Sequence, residues 1–558
     1  MTHRFRLLLG AACLAVPLSL SASGFAADPH DKPAPAKPDM HGDAVTSDGT
    51  VTIGGVPVGY QAVVGTLVVH PKGWDDSGSS SDAPAQPAVE PGNASDNKSA
   101  GGGGHDKDAE AKMSFVAYFK HGVAPGSRPI TFLYNGGPGS STVWLHMGAF
   151  GPKRVVTANA AVTPPAPFEL VNNNESLLDA SDLVFIDAPG TGFGRLEGKD
   201  KEKAFWGTDQ DAYAFSQFIV SFLTKYNRWN SPKFLMGESY GTMRSAVLSN
   251  MLEQNEGVGL NGVILLSQIF DYANSVDTSK SFPGEDMSYV LALPSYAATA
   301  WYHHKLPNQP ADLPSFLKEV EQFATTDYLT ALAQGSALDD ARRDEIANKL
   351  HAYTGLPVDY IKRADLRIEG DEFAHELLID QGDITGRLDS RYQGPSMNPL
   401  DSGASYDPLD AGIDAAFTAG FNDYVRNTLH YNTNLKYKTE IDVFKDWDNK
   451  HQPPGESSPE PALPNVLQDM ATAMKFNPTL KVQLNAGYFD LGTPFYEGIY
   501  EMQHLPMPRR LESNIEFHQY TSGHMVYLND AARKQLHDNV ANFIRANDHE
   551  PAASDKTH

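Results

Sequence analysis

Cysteine is almost missing: Cys13 stands alone in 558 residues. That excludes internal disulfides and any metal site built from several cysteines. Basic side chains are scarce as well, 44 Lys and Arg against 69 Asp and Glu, for a formal net charge of -25. So acidic a chain carries no electrostatic footprint for nucleic acid or for an anionic lipid surface. Long hydrophobic runs are also lacking. The apolar stretch from Leu7 to Leu20 is broken by Pro17, and no later stretch approaches the ~18 uncharged apolar residues of a membrane span.

What stands at the start is an address. Residues 1–26 combine Arg4 and Arg6, the apolar stretch, and small residues up to Ala26, which is the pattern of a secretory signal peptide. The protein is expected to be exported, either periplasmic or secreted, and a bacterial setting suits a signal peptide on a chain without disulfides. Cleavage would remove Cys13 and two of the 44 basic residues but no acid, taking the net charge to -27. The mature chain must then be held by its core alone.

Residues 27–50, rich in Asp, Pro and Lys without periodicity, read as a flexible leader. Two strand-like runs follow, Val58 to Val69 and Ser114 to Phe119. They flank a low-complexity insertion over about 71–112 that holds the sequons at Asn93 and Asn97. The pair is expected to form a hairpin with an elongated, disordered tip. From Pro129 short apolar runs alternate with amphipathic helical patterns such as Asp209 to Tyr226, Tyr240 to Gln254 and Leu528 to Asn547. That alternation predicts an α/β architecture, a mostly parallel central sheet flanked by helices. The rhythm fails over 271–464, where the helical patterns Pro314–Gln334 and Ala337–Tyr353 precede a turn-rich stretch from Gln381 to Ser405. This span is expected to be a mainly helical cap, inserted between core segments 51–270 and 465–547. Residues 548–558 form a tail.

Four local patterns carry chemistry. Gly237-Glu238-Ser239-Tyr240-Gly241 fits G-x-S-x-G between a strand-like SPKFLM and a helix-like YGTMRSAVLSNMLEQ. A strand–turn–helix setting of this kind lifts a serine hydroxyl off the sheet edge at a helix N-terminus; the competing reading is a glycine turn whose serine only caps the helix. A serine is a poor nucleophile without a base. Asp490, in the turn of LNAGYFDLGTP, and His524, in TSGHMVYL, follow strand-like runs. The order Ser239, Asp490, His524 is that of α/β-hydrolases. Alone, Asp490 reads equally as a turn aspartate and His524 as a packing histidine. The fourth pattern is YNGGPGSS, Tyr134 to Ser141, a glycine-rich loop whose N–H groups can approach a developing oxyanion. It lacks the P-loop lysine, and Gly190 to Gly194 lacks the full dinucleotide spacing, so neither is read as a phosphate site.

NGGPGSS, DLVFIDAPGTGFG, GESYG, NAGYFDLGTP and SGHM, in this order, resemble the serine carboxypeptidases over about 130–270 and 470–547. The resemblance implies an α/β-hydrolase fold and a serine-type carboxypeptidase acting on peptides with a free C-terminal carboxylate, with no metal or cofactor. It makes Ser239 the nucleophile, His524 the general base and Asp490 its orienting partner. It assigns the oxyanion hole to the N–H groups of Gly137 and Tyr240, and the substrate carboxylate to Asn135, Gly136 and Glu238. The chain departs from the pattern at three places. Ala149 stands where the resemblance expects a glutamate to partner Glu238, Ser140 where it expects a disulfide cysteine, and Thr242 where it expects glycine or alanine. Two rivals stay open at this level: an esterase or acyltransferase using the same triad, and a non-catalytic binding protein on the same scaffold.

Overall fold

The computed structural model describes residues 44–74, 108–281, 283–460 and 463–548. The expected signal peptide, most of the expected leader, the middle of the insertion with both sequons, and most of the tail lie outside the described residues. Two expected boundaries move. Val45–Ile53 forms a strand, β1, so the leader does not run to residue 50; its alternation of Val51 and Ile53 with outward polar residues is that of an edge strand. Glu110–Lys120 is β3, so the insertion ends before residue 110.

Between them lies β2, Val56–Val69. The remaining strands of the main sheet are β4 (Ile130–Tyr134), β5 (Asp182–Ile186), β6 (Lys233–Glu238), β7 (Gly262–Leu266), β8 (Lys481–Gly487) and β9 (Ile515–Tyr520). Their order is β1-β2-β3-β5-β4-β6-β7-β8-β9, with the short strand Arg195–Glu197 beside β3. The first three strands are antiparallel and β3 pairs antiparallel with β5. From β5 onward every pairing is parallel. All six residues of β6 and all five of β7 are buried. That is why these runs read as continuously apolar: both faces are covered. Phe234, Met236, Ile264 and Leu266 face one core with helix Asp530–Asn547. Leu235, Val263 and Leu265 face the other, with helices Thr208–Lys225 and Tyr240–Gln254.

The span 271–464 is not one body. Helices Met287–Tyr302, Leu313–Phe323, Asp340–Thr354 and Gly370–Glu376 share a third core with Phe489, Leu491 and Phe495 beside the sheet end. Helix Pro408–Asp423 instead sends Leu409, Ile413, Phe417 and Phe421 into the first core, among residues of the sheet. Its apolar stripe belongs to the main body, a partition that spacing along the chain does not reveal.

Candidate active site

Because β4, β6, β7 and β8 run parallel, their C-terminal ends share one edge, where open α/β sheets display functional groups. Ser239 follows β6 directly, with φ 61° and ψ -132°. A side chain is disfavoured at that backbone angle, at a cost on the order of 1–3 kcal/mol, so the surrounding bonds must hold it. Ser239 N donates to the Leu266 carbonyl at 3.0 Å, and Thr242 Oγ1 donates to the Ser239 carbonyl at 2.7 Å. Thr242 therefore works as a tie across the turn. Gly237 is required on contact grounds, since a Cβ there would stand 2.1 Å from the Gly241 carbonyl oxygen.

The glycine-rich loop comes to the same point from β4. A Cβ on Gly136 would lie 2.5 Å from Tyr240 N, so only glycine permits this approach. Gly137 and Tyr240 line the cleft with Ser239, and among the described residues no acceptor takes the N–H of either. Arg244, buried on the helix behind Ser239, donates to the Asn135 carbonyl at 2.7 Å and pairs with Asp211 at 2.5 Å. One guanidinium thus joins the glycine-rich loop to the elbow helix.

Asp490 is fully buried beyond β8, and its carboxylate is saturated. Oδ1 accepts from the N–H groups of Gly492 and Thr493 at 2.9 and 3.0 Å. Oδ2 lies 2.7 Å from His524 Nδ1 and 2.8 Å from Thr493 Oγ1. Burial works against a charge on His524, but Asp490 beside it outweighs that and its pKa is raised, with Glu238 adding and Arg387 opposing. Among the described residues no hydrogen bond reaches Ser239 Oγ. The serine joins the pair through strand-end backbone: Ser267, which follows β7, donates its hydroxyl to the His524 carbonyl at 2.7 Å.

Residues 387–391 form a strap that sequence reasoning missed. Leu491 N donates to the Arg387 carbonyl at 2.9 Å, Ser390 N to the Phe489 carbonyl at 2.9 Å and His524 N to the Leu388 carbonyl at 2.7 Å. The loops carrying Asp490 and His524 are therefore held by a segment from within the expected cap. Arg387 also lines the cleft, paired with Asp277. The cleft has a volume of about 430 Å³, and Tyr272, Phe444 and Trp447 give it apolar wall.

Glu238, Asn135 and Gly136, next in sequence to the elbow serine and the glycine-rich loop, are buried. Burial pushes the Glu238 carboxyl up to about 7, while His524, the Tyr527 hydroxyl and the Asn135 amide pull it down and Asp490 pushes it further up. Asn135 accepts from Leu145 N at 3.1 Å through Oδ1, which leaves its amide N–H groups toward Glu238 and Tyr527. A hydroxyl at a strained elbow, a carboxylate-bound imidazole and unclaimed N–H groups at one strand edge are equipped for acyl transfer.

The family model described as serine carboxypeptidase matches residues 91–330, which contain the glycine-rich loop and the elbow. Over that segment, less than half of its length, the chain is similar to the serine carboxypeptidases. Serine carboxypeptidase-like 44 of Arabidopsis thaliana is 30% identical over 141 residues, 24% of this chain and 27% of that relative. The chain thus aligns with about a quarter of that family member's length. Likeness of fold extends further. Kex1Δp, a prohormone-processing carboxypeptidase from Saccharomyces cerevisiae, superposes with a TM-score of 0.51 at 16% identity, over 86% of this chain and 91% of that one. Asp490 and His524 lie beyond the matched segment and rest on the geometry above.

Proposed function

We propose that the protein is a serine-type carboxypeptidase that hydrolyses the C-terminal peptide bond of exported or extracellular peptides. The observation that carries this reading is the saturated Asp490–His524 pair at the strand edge that also bears the Ser239 elbow. In this reading His524 Nε2 takes the Ser239 proton as the hydroxyl attacks the scissile carbonyl. Asp490 holds the imidazole tautomer and stabilises its charged form. The N–H groups of Gly137 and Tyr240 receive the oxyanion. The leaving amine takes its proton from His524, and water then hydrolyses the seryl ester by the same base. The Ser239–His524 hydrogen bond closes with substrate in place, as such contacts often tighten only in the Michaelis complex.

Exopeptidase selectivity would come from Asn135, Gly136 and Glu238 reading the terminal carboxylate. A carboxyl attracts a carboxylate only if one of the two keeps a proton, and a Glu238 that titrates near 7 keeps one through mildly acidic pH. Residues 1–26 would deliver the chain to the periplasm or the medium. Among the described residues no helix is long and apolar enough to cross a membrane.

The test is an N-blocked dipeptide beside its C-terminal amide, with wild type and Ser239→Ala, from acid to neutral pH. Release of the last residue from the free acid alone, lost in the variant, is expected. Cleavage of simple esters but of neither peptide would leave an esterase or acyltransferase. Failure of an active-site phosphonate to label Ser239 would leave a non-catalytic scaffold.

A further inference from the structure

Ala149 removes the carboxyl that the resemblance would set against Glu238, yet Glu238 is not left alone. The Tyr527 hydroxyl donates to Glu238 Oε1 at 3.2 Å, and both side chains are about 1% exposed. Tyr527 sits in the single turn Val526–Leu528, just after His524. Its ring has room because residue 148 is glycine: a Cβ there would stand 2.7 Å from the ring carbon Cε2. The other oxygen of Glu238, Oε2, is buried and has no hydrogen-bond partner among the described residues. A buried polar atom left so costs on the order of 1–3 kcal/mol, which a ligand at that atom would recover.

We propose that Tyr527 is a positioning residue for carboxylate recognition: by donating to Oε1 it confines the acid proton of Glu238 to Oε2, which then donates to the substrate's terminal carboxylate. This rests on the carboxypeptidase reading above. The reasoning is one of donors and acceptors. A carboxylic acid carries one proton; if that proton sat on Oε1 it would face the phenol hydrogen, so Oε1 accepts and Oε2 donates. A phenol also does what a second carboxyl does not. Burial holds the Tyr527 hydroxyl far above its ordinary range, so it stays a donor at every pH the enzyme meets. The other groups facing Glu238 are His524, Asp490 and the Asn135 amide. The upper pH limit of binding is therefore set by Glu238 itself, near neutrality.

Tyr527→Phe should raise KM for the free-acid dipeptide roughly tenfold with kcat little changed, the size expected for one hydrogen bond in a buried site. It should also move the alkaline limb of kcat/KM upward, because a bond that favours ionised Glu238 is gone. Loss of affinity with an upward limb is a combination that misfolding does not produce. Glu238→Gln should abolish the limb, and adding Tyr527→Phe to it should then shift nothing with pH. Gly148→Ala, pressing on the ring from the other side, should reproduce the upward limb and serves if Tyr527→Phe does not fold. An unmoved limb with unchanged KM, or an equal fall in kcat on the free acid and on a simple ester, would overturn the role of Tyr527. If Glu238→Gln leaves the preference for acid over amide intact, the carboxylate reading of Glu238 itself is wrong. If it abolishes that preference while Tyr527→Phe moves neither KM nor the limb, only the present inference falls.

Discussion

Arg244 Nη1 donates to the Asn135 carbonyl at 2.7 Å, across 109 positions of sequence. That bond makes the glycine-rich loop and the elbow helix move as one piece, and the rest of the guanidinium is consumed by buried Asp211. Removing one partner of a buried ion pair leaves the other uncompensated. Arg244→Leu is therefore expected to cost roughly 3–5 kcal/mol, read as a fall in Tm, and to reduce kcat in whatever folds. The double variant Arg244→Leu with Asp211→Leu should recover much of the stability but not the rate, since the Asn135 tie stays broken.

The acid–base pair makes a graded prediction. Asp490→Asn keeps the shape of the side chain but presents an N–H to His524 and favours the wrong tautomer. It should lower kcat by about 10³–10⁴ while phosphonate labelling of Ser239 slows in parallel. Thr493→Val removes only one hydroxyl from Asp490 Oδ2. Its effect on kcat should be roughly tenfold.

Gly136→Ala tests the close approach of the two loops. The added Cβ would stand 2.5 Å from Tyr240 N, a backbone atom that cannot swing aside. The Gly137 and Tyr240 N–H groups should separate, and kcat should fall by about 10²–10³, the scale of a lost oxyanion donor. An enzyme that stays fully active would show that these two groups do not act together.

Away from the site, His451 lies between Asp209 at 2.6 Å and Asp469 at 2.8 Å, its side chain 3% exposed. Burial opposes its charge, but hydrogen bonds to the two carboxylates win and its pKa is raised to about 9. A basic group with a raised folded pKa contributes stability that is complete below its ordinary value and is lost as pH rises through the folded one. The difference in Tm between wild type and His451→Gln should therefore be largest near pH 6 and shrink towards pH 9 and above. The full shift corresponds to at most about 3 kcal/mol. A difference that stays constant from pH 6 to 10 would mean that His451 is not charged in the fold.

Much of the site was legible because its parts are local. GESYG between a strand and a helix, a glycine-rich loop after a strand, and an acid and a histidine in turns after later strands each declare themselves within about ten residues. The alternation of apolar runs with amphipathic helices supplied the fold class, and the order of the three residues agreed with it. What was not legible depends on pairs far apart. Tyr527 carries no signal of its own in TSGHMVYL, because only the absence of a side chain at residue 148 and the position of Glu238 reveal what its hydroxyl meets. The strap 387–391 lay in a stretch read as turns, and β1 was lost among polar residues because an edge strand buries only one side.

The sequence by itself determined the parallel sheet, the elbow turn and the candidate reacting groups, since hydrophobic period, glycine placement and side-chain chemistry are properties of short segments. Tertiary structure alone decided that the expected cap divides. Its earlier helices build a third core together with Phe489, Leu491 and Phe495, while Pro408–Asp423 joins the main body and residues 387–391 grip the loops of Asp490 and His524. The physical reason is that an amphipathic stripe or a free backbone carbonyl must be satisfied somewhere, but only packing selects its partner among the surfaces and N–H groups that would serve.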